Sequence, residues 1–192
     1  SHPVRCFCED EDGNILIGTK GSGIKLLNPA TKELTDYLNE SKGLISNSVY
    51  ALRRNKANDI FIGTEGNGIN ILNVATGRLE KLEIPDKYPP FKAVYNIYFT
   101  NNDSLLWVGT SGYGLIKINI SREQGRYHVK GFRQYNSSDK NISLNNDVVY
   151  AITSDPEDNM LWFGTRGGGL NCINIKNNGI KSLEDIDSRI LL

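Results

Sequence analysis

Four glycine-rich loops are the first residues that invite a chemical reading. Gly18-Thr19-Lys20-Gly21-Ser22-Gly23, Gly63-Thr64-Glu65-Gly66-Asn67-Gly68, Gly109-Thr110-Ser111-Gly112-Tyr113-Gly114 and Gly164-Thr165-Arg166-Gly167-Gly168-Gly169 each follow an apolar run. Amides of such a loop can cradle a phosphate where a helix follows. Here no Gly-Lys-Ser/Thr follows, and the next residues read as a strand, so a turn shared by four units is expected instead. Asp10-Glu11-Asp12-Gly13-Asn14 hints at a calcium loop, but with Asp10 as first ligand the sixth position is Ile15, where that loop needs glycine. A hairpin turn is expected there. With only His2 and His128 in the chain, a Ser-His-Asp triad would rest on His128, which falls in a predicted outer strand. Carboxylates lie scattered in turns, with no pair to place across a glycosidic bond. Cys6, Cys8 and Cys172 are too few and wrongly spaced for a disulfide framework or a zinc site. Cys6 and Cys8, two apart, would share one face of a strand. Neither a metal nor a cofactor is expected.

The elements that position these loops follow from their spacing. The Gly-Thr glycines stand 45, 46 and 55 residues apart, a period of about 45 with an insertion in the third interval. Upstream of three loops lie Val49-Tyr50-Ala51-Leu52, Val94-Tyr95-Asn96-Ile97 and Val149-Tyr150-Ala151-Ile152, with Val4-Arg5-Cys6-Phe7 a divergent first copy. Downstream lie Ile24–Asn28, Ile69–Asn73, Leu115–Asn119 and Leu170–Asn174, and clusters of Asp, Asn, Gly and Pro separate the segments as hairpin turns would. Each unit reads as strand a, a strand b ending in Gly-Thr, a strand c ending in Asn, and a strand d at Glu33–Leu38, Arg78–Ile84, His128–Tyr135 and Ile180–Ile186. Strand b is apolar at successive positions, which predicts cover on both faces. A four-stranded antiparallel sheet repeated at this period is a β-propeller blade, so the fold class is all-β, with blades over about residues 4–39, 47–84, 93–136 and 147–187. Leu16, Phe61, Trp107 and Trp162 form one column expected between neighbouring blades. A β-sandwich also has many short strands, but does not require the same loop in every unit.

Composition agrees. The 192 residues are 39% hydrophobic, enough for a core, and 22 basic residues balance 22 acidic ones. That balance gives no reason to expect a nucleic-acid or anionic-membrane partner, and no apolar run approaches the roughly 20 residues needed to span a bilayer. No signal-peptide pattern opens the chain. Four blades leave sheet edges and blade faces to cover. They close alone, form part of a larger ring such as one of seven blades, or pair with a second copy into eight; the large Trp and Phe residues suit the wider rings. The tail Asn177–Leu192 fits the repeat poorly, and a truncation boundary is expected there.

At these residues the chain resembles a known family. Val-Tyr-x-Ile, a turn, Leu-Trp-Val-Gly-Thr, Gly-x-Gly-Leu and Ile-Asn are similar to the two-component regulator propeller repeat, and Ser46-Asn47-Ser48-Val49 and Leu144-Asn145-Asn146-Asp147-Val148 are similar to its lead-in before strand a. The resemblance covers about Val4 to Ile175. It implies a non-enzymatic piece of the periplasmic sensor region of a hybrid two-component protein, responding to glycan-derived oligosaccharides. The kinase would lie elsewhere in the parent protein. A contact propeller without a small ligand, or a propeller glycosidase or lyase, are the alternatives. The implied partners are the remaining blades of the parent or a second copy of the chain.

Within a blade the start of a and the end of b share one edge, so the lead-ins and the b–c loops occupy one face of the disc, where binding residues usually sit. The candidate ligand-binding residues are Lys20, Glu65, Asn67, Tyr113 and Arg166 in the b–c loops, with Asn47, Asn145 and Asn146 in the lead-ins. Tyr113 could stack on a sugar face, and Arg166 and the amides could bond hydroxyls or a uronate. The competing reading is of ordinary solvated loop residues.

Overall fold

The computed structural model describes residues 2–66, 68–139, 144–155, 159–177 and 179–182. Among them sixteen strands form four separate sheets, each antiparallel and in sequence order. The first blade comprises β1 (Val4–Glu9), β2 (Ile15–Thr19), β3 (Ile24–Asn28) and β4 (Glu33–Leu38). The second comprises β5 (Val49–Arg54), β6 (Asp59–Thr64), β7 (Ile69–Asn73) and β8 (Arg78–Lys81). The third comprises β9 (Val94–Thr100), β10 (Leu105–Thr110), β11 (Leu115–Glu123) and β12 (Arg126–Tyr135). The fourth comprises β13 (Val149–Asp155), β14 (Met160–Thr165), β15 (Gly169–Asn174) and β16 (Ile180–Ser182). The first strands meet in succession, β1 with β5, β5 with β9 and β9 with β13, so they line the inside of an arc. The blades form an unclosed arc of a propeller.

Three strands differ clearly from expectation, and the first is β11, which runs on to Glu123 instead of ending at Asn119. β8 ends at Lys81 rather than Ile84: Leu82 N still donates to Ile69 O at 2.8 Å, but Pro85 has no N–H to continue a ladder. β12 begins two residues early, because the insertion in the third interval lengthens the β11–β12 hairpin, which turns at Gln124 (φ 51°) and Gly125 (φ 78°). Of the fourth blade's predicted strand d, residues 183–186 lie outside the described residues, as does the tail from 183 onward.

Among the described residues three hydrophobic clusters hold the arc together, one per joint. Leu16 and Ile24 meet Val49, Leu52, Ile60 and Ile62. Phe61, Ile69 and Ile71 meet Val94, Ile97, Leu106 and Val108. Trp107 and Leu115 meet Val149, Ile152, Leu161 and Phe163. Strand b of the two inner blades is thus covered on both faces because alternate side chains enter different joints, and all six residues of β6 are buried, whereas β2 and β14 keep half-buried residues on the face without a neighbour among the described blades. Leu16, Phe61 and Trp107 are at most 1% exposed, whereas Trp162, in the last blade, is only half-buried.

The repeated glycine of Gly-Thr marks the tightest point of each joint. A Cβ on Gly18 would press on Val49 Cγ1 at 2.9 Å, and one on Gly109 would lie 2.8 Å from Val149 O and 3.0 Å from its Cγ1. Gly63 is crowded in the same way by Val94. A side chain here would drive two blades apart. Trp107 is anchored further, its Nε1 donating to Thr100 Oγ1 at 2.9 Å and its ring stacked 6.2 Å from Tyr135. In urea unfolding, Trp107→Ala is expected to lower stability by about 3–5 kcal/mol, and Gly109→Ala by about 1–3 kcal/mol through overpacking of an already filled joint. A loss below about 0.5 kcal/mol for either, the size of an ordinary surface change, contradicts this account of the joint.

Candidate functional site

The b–c loops owe their shape to the repeated threonine. Thr110 Oγ1 donates to Gly114 O at 2.7 Å and accepts from Tyr113 N at 3.1 Å. Thr19 repeats this with Gly23 O and Ser22 N. Gly114 sits at φ 75°, where a Cβ would also collide with the Tyr135 carbonyl. Backbone donors of the loops in blades one and three are already committed. Ser111 N donates to Ala93 O within its own blade, while Gly112 N and Gly114 N both donate to Asp147 O of the next one, at 3.0 and 2.8 Å. Lys20 N bonds Pro3 O, and Gly21 N and Gly23 N both bond Asn47 O. Amides spent in this way cannot cradle a phosphate. These two loops stitch blade one to blade two and blade three to blade four, and their variable side chains stand on a fixed frame.

The candidate residues divide on that frame. Lys20, Glu65 and Arg166 are exposed at equivalent loop positions in three blades. Tyr113 is half-buried against the cluster between blades two and three, and its carbonyl accepts from Gln134 Nε2 at 2.8 Å. Asn47 Oδ1 accepts from Glu40 N, and Asn47 N donates to Glu40 Oε1, both at 2.8 Å. Asn145 Nδ2 donates to Gly168 O at 2.9 Å, beside the Arg166 loop, and Asn146 Oδ1 accepts from Val148 N at 2.9 Å. The three lead-in amides therefore hold backbone. Asn67 lies outside the described residues.

The counterpart of Asn47 in the fourth blade is Asp147. Its carboxylate accepts from Ser137 N at 2.6 Å and Ser137 Oγ at 2.8 Å, closing the same lock between the end of one blade and the start of the next. Both residues stand two before the first Val of strand a, and that shared position was the available signal.

A second group was hidden in the Val-Tyr motif. In every blade the register of strand a against strand b slips at its second residue, so Arg5, Tyr50, Tyr95 and Tyr150 each sit in a β-bulge. The bulges place these side chains in one track along the inside of the arc. The Arg5 guanidinium lies 5.8 Å from the Tyr50 ring centroid. Tyr50 meets Tyr95 edge-on at 5.0 Å, and Tyr95 stacks on Tyr150 at 5.3 Å. Burial, then the Glu65 carboxylate beside it, pushes the Tyr50 phenol above its usual range, which links the track to the loop face. Such a row offers ring faces and hydroxyls to a polyhydroxylated ligand.

At the opposite edge the long hairpin reaches back across blade two. Asp59, 1% exposed, accepts from Tyr127 Oη at 2.7 Å and Asn73 Nδ2 at 2.7 Å, and pairs with Arg122 at 3.2 Å. Desolvation and then the Asp59 hydrogen bond push the Tyr127 phenol up. Beside this network lies a cavity of about 350 Å³ lined by Asn73, Arg78, Glu80, Arg122 and Tyr127 among others. Asp10 Oδ1 accepts from Asp12 N and Asn14 N, as a hairpin turn requires. His128 is exposed in β12. Burial pushes the Cys6 thiol up to about 12 and raises Cys8 as well, so both are poor nucleophiles near neutral pH. Among the described residues no group of three or more His, Cys, Asp or Glu side chains is placed to hold a metal, and no helix is long and apolar enough to cross a membrane.

The chain is similar to several known proteins. Residues 1–21 match the model of the two component regulator propeller family. The chain is 28% identical over 180 residues to Histidine kinase P4 of Formosa agariphila, covering 91% of this chain and 12% of that protein. It is similar to the extracellular domain of the putative hybrid two component system BT3049 of B. thetaiotaomicron, with TM-score 0.56 and 18% identity over 93% of this chain and 28% of that one. It is also similar to the Cps50 (Swd1) β-propeller domain of Myceliophteria thermophila, with TM-score 0.63 and 14% identity over 94% of this chain and 54% of that one. At these identities the solved structures establish the propeller fold, and the chain spans only a small part of the curated relative.

The lead-in lock is open to a direct check. Asp147→Ala is expected to cost about 1.5–3 kcal/mol, the range for hydrogen bonds to a charged group, while Asp147→Asn, which copies Asn47, loses well under half of that in urea unfolding. Equal losses for the two variants contradict the lock.

Proposed function

We propose that this arc is part of the sensor region of a hybrid two-component signalling protein, exposed to the periplasm, and that its loop face recognises a glycan-derived oligosaccharide without chemical turnover. The observation that carries the reading is the division of labour within the loops: backbone amides and lead-in amides build a rigid frame, and exposed Lys20, Glu65 and Arg166 vary on it. Similarity to the extracellular domain of a hybrid two component system and to a histidine kinase supports the signalling context. The tyrosine track beside the loops supplies the aromatic surface that sugar recognition uses, and Arg166 supplies a partner for a uronate. A fold alone would not carry this, since propellers host many functions. Signalling then requires that the bound glycan favour one arrangement of the sensor over another.

A thermal-shift screen against neutral and uronate-bearing oligosaccharides tests the reading. A ligand at about a hundred times its Kd stabilises by about 2.7 kcal/mol, which corresponds to a rise of about 5–10 °C for a chain of this size. The double variant Tyr113→Ala/Arg166→Ala is expected to weaken that binding about tenfold or more by calorimetry. Affinity unchanged in the double variant removes these two residues from the site. Release of shortened sugar products would replace the sensor with an enzyme.

A further inference from the structure

We propose that the cavity between the long hairpin of blade three and the body of blade two binds a small organic carboxylate, held by Arg78, Arg122 and Arg126. The site lies at the edge of the arc opposite the loop face and is independent of glycan recognition there.

This corner departs from the repeat in both length and charge. Four residues before the Gly-Thr glycine, blade two carries Asp59 where the other blades carry Asn14, Leu105 and Met160. Blades one and two join strands c and d by short turns at residues 29–32 and 74–77. In blade three the insertion runs β11 and β12 on past that level, which brings Arg122, Gln124, Arg126 and Tyr127 to the corner. Each hairpin then resumes its fourth strand on an arginine, Arg78 after Gly77 (φ 69°) and Arg126 after Gly125 (φ 78°). A carboxylate found in one blade only and a cluster of arginines set against it are more than blade packing asks for.

The balance of donors and acceptors selects the ligand. The carboxylates of the corner have dedicated partners. Asp59 accepts from Tyr127 and Asn73 and pairs with Arg122, Glu80 pairs with Arg78, and Glu123 turns to Lys130 at 2.7 Å and Ser121 at 2.8 Å. The guanidiniums are not exhausted in return. Each carries a fork of N–H donors, yet Arg78 and Arg122 meet their carboxylates through a single nitrogen, at 3.1 and 3.2 Å. Arg126 lines the adjoining hollow together with Arg78 and Gln124, and among the described residues it has no ion pair. Donors are therefore in surplus, and an occupant that supplies acceptor oxygens completes them. A carboxylate does so with the geometry a guanidinium fork matches. Buried Ile71 and the Tyr127 ring line the same cavity, which favours a ligand with a carbon body over a bare inorganic ion. The volume of about 350 Å³ is at the lower end of the range for small-molecule sites, so a single ring fits and a polymer does not.

An NMR titration of the chain with glucuronate, glucose and inorganic sulfate tests the site. Glucuronate and glucose differ only in the carboxylate. Glucuronate is expected to bind with a Kd of about 1 mM or tighter, the affinity within reach of a ligand of so few atoms, and to move the amide resonances of Gly125 and Tyr127. Glucose and sulfate are expected to bind at least about tenfold more weakly, the first lacking the charge-assisted bonds and the second the body. Arg78→Ala and Arg126→Ala, changes at exposed residues, are each expected to weaken glucuronate about tenfold while circular dichroism stays unchanged. Arg122 is left in place, since its loss would strand the buried Asp59 carboxylate. Equal affinity for glucose and glucuronate overturns carboxylate recognition. Sulfate binding as tight as that of glucuronate overturns the organic ligand in favour of a bare oxyanion. Shifts confined to the Arg166 loop, or binding lost in Tyr113→Ala/Arg166→Ala but kept in Arg78→Ala and Arg126→Ala, assign the carboxylate to the loop face and overturn the proposal. No shift at about 10 mM glucuronate, ten times that Kd, overturns it as well.

Discussion

Everything in this molecule depends on how closely one sheet approaches the next. Each blade is only four strands wide and cannot bury its own faces, so its stability comes from the neighbour it leans on. The approach is set where a glycine without a side chain faces a β-branched residue, with a column of large side chains, Leu16, Phe61 and Trp107, filling the wedge behind it. The period of about 45 residues is the sequence trace of this packing rule. Because the rule is local to each joint, four units with different surfaces share one geometry.

The loop face inherits its order from the same joints. The amides that might have bound an anion instead bridge consecutive blades through the carbonyls of Asn47 and Asp147. A side chain in such a loop can be exchanged without disturbing the frame, since the threonine hydroxyl and backbone bonds define the turn. This is how a repetitive scaffold carries a non-repetitive surface: Lys20, Glu65, Ser111 and Arg166 occupy one repeat position, cationic in two blades, anionic in one and neutral in another.

What could be read from the sequence follows the same division. The blade architecture and the shared turn were visible because packing forces Gly-Thr and its glycines to recur, and the joint column because large apolar residues, Leu16, Phe61 and Trp107, recur at one position. The lead-in lock is half legible: Asn145 and Asn146 carry the amide chemistry of Asn47, but its structural counterpart is Asp147, one residue on, and neighbouring residues of like chemistry hide the register. The tyrosine track was present as a repeated Val-Tyr, but simple alternation along a strand does not anticipate a bulge that re-aims the second residue. The insertion in the third interval was visible as length alone. Its destination depends on Asp59, which in the sequence looks like one more turn residue and in the fold is a buried carboxylate awaiting Arg122 and Tyr127.

That buckle makes the arc mechanically uneven. Sliding blade three away from blade two would strand the Asp59 charge in a dry interior, a penalty of about 3–5 kcal/mol when such a pair is broken, and would also open the oily seam between the two sheets to water. The first and third joints carry no comparable ion pair among the described residues. The second joint is thus held by a buried ion pair, while the first and third are held by loop amides on the Asn47 and Asp147 carbonyls, so different chemistry fastens successive seams of one repeating scaffold.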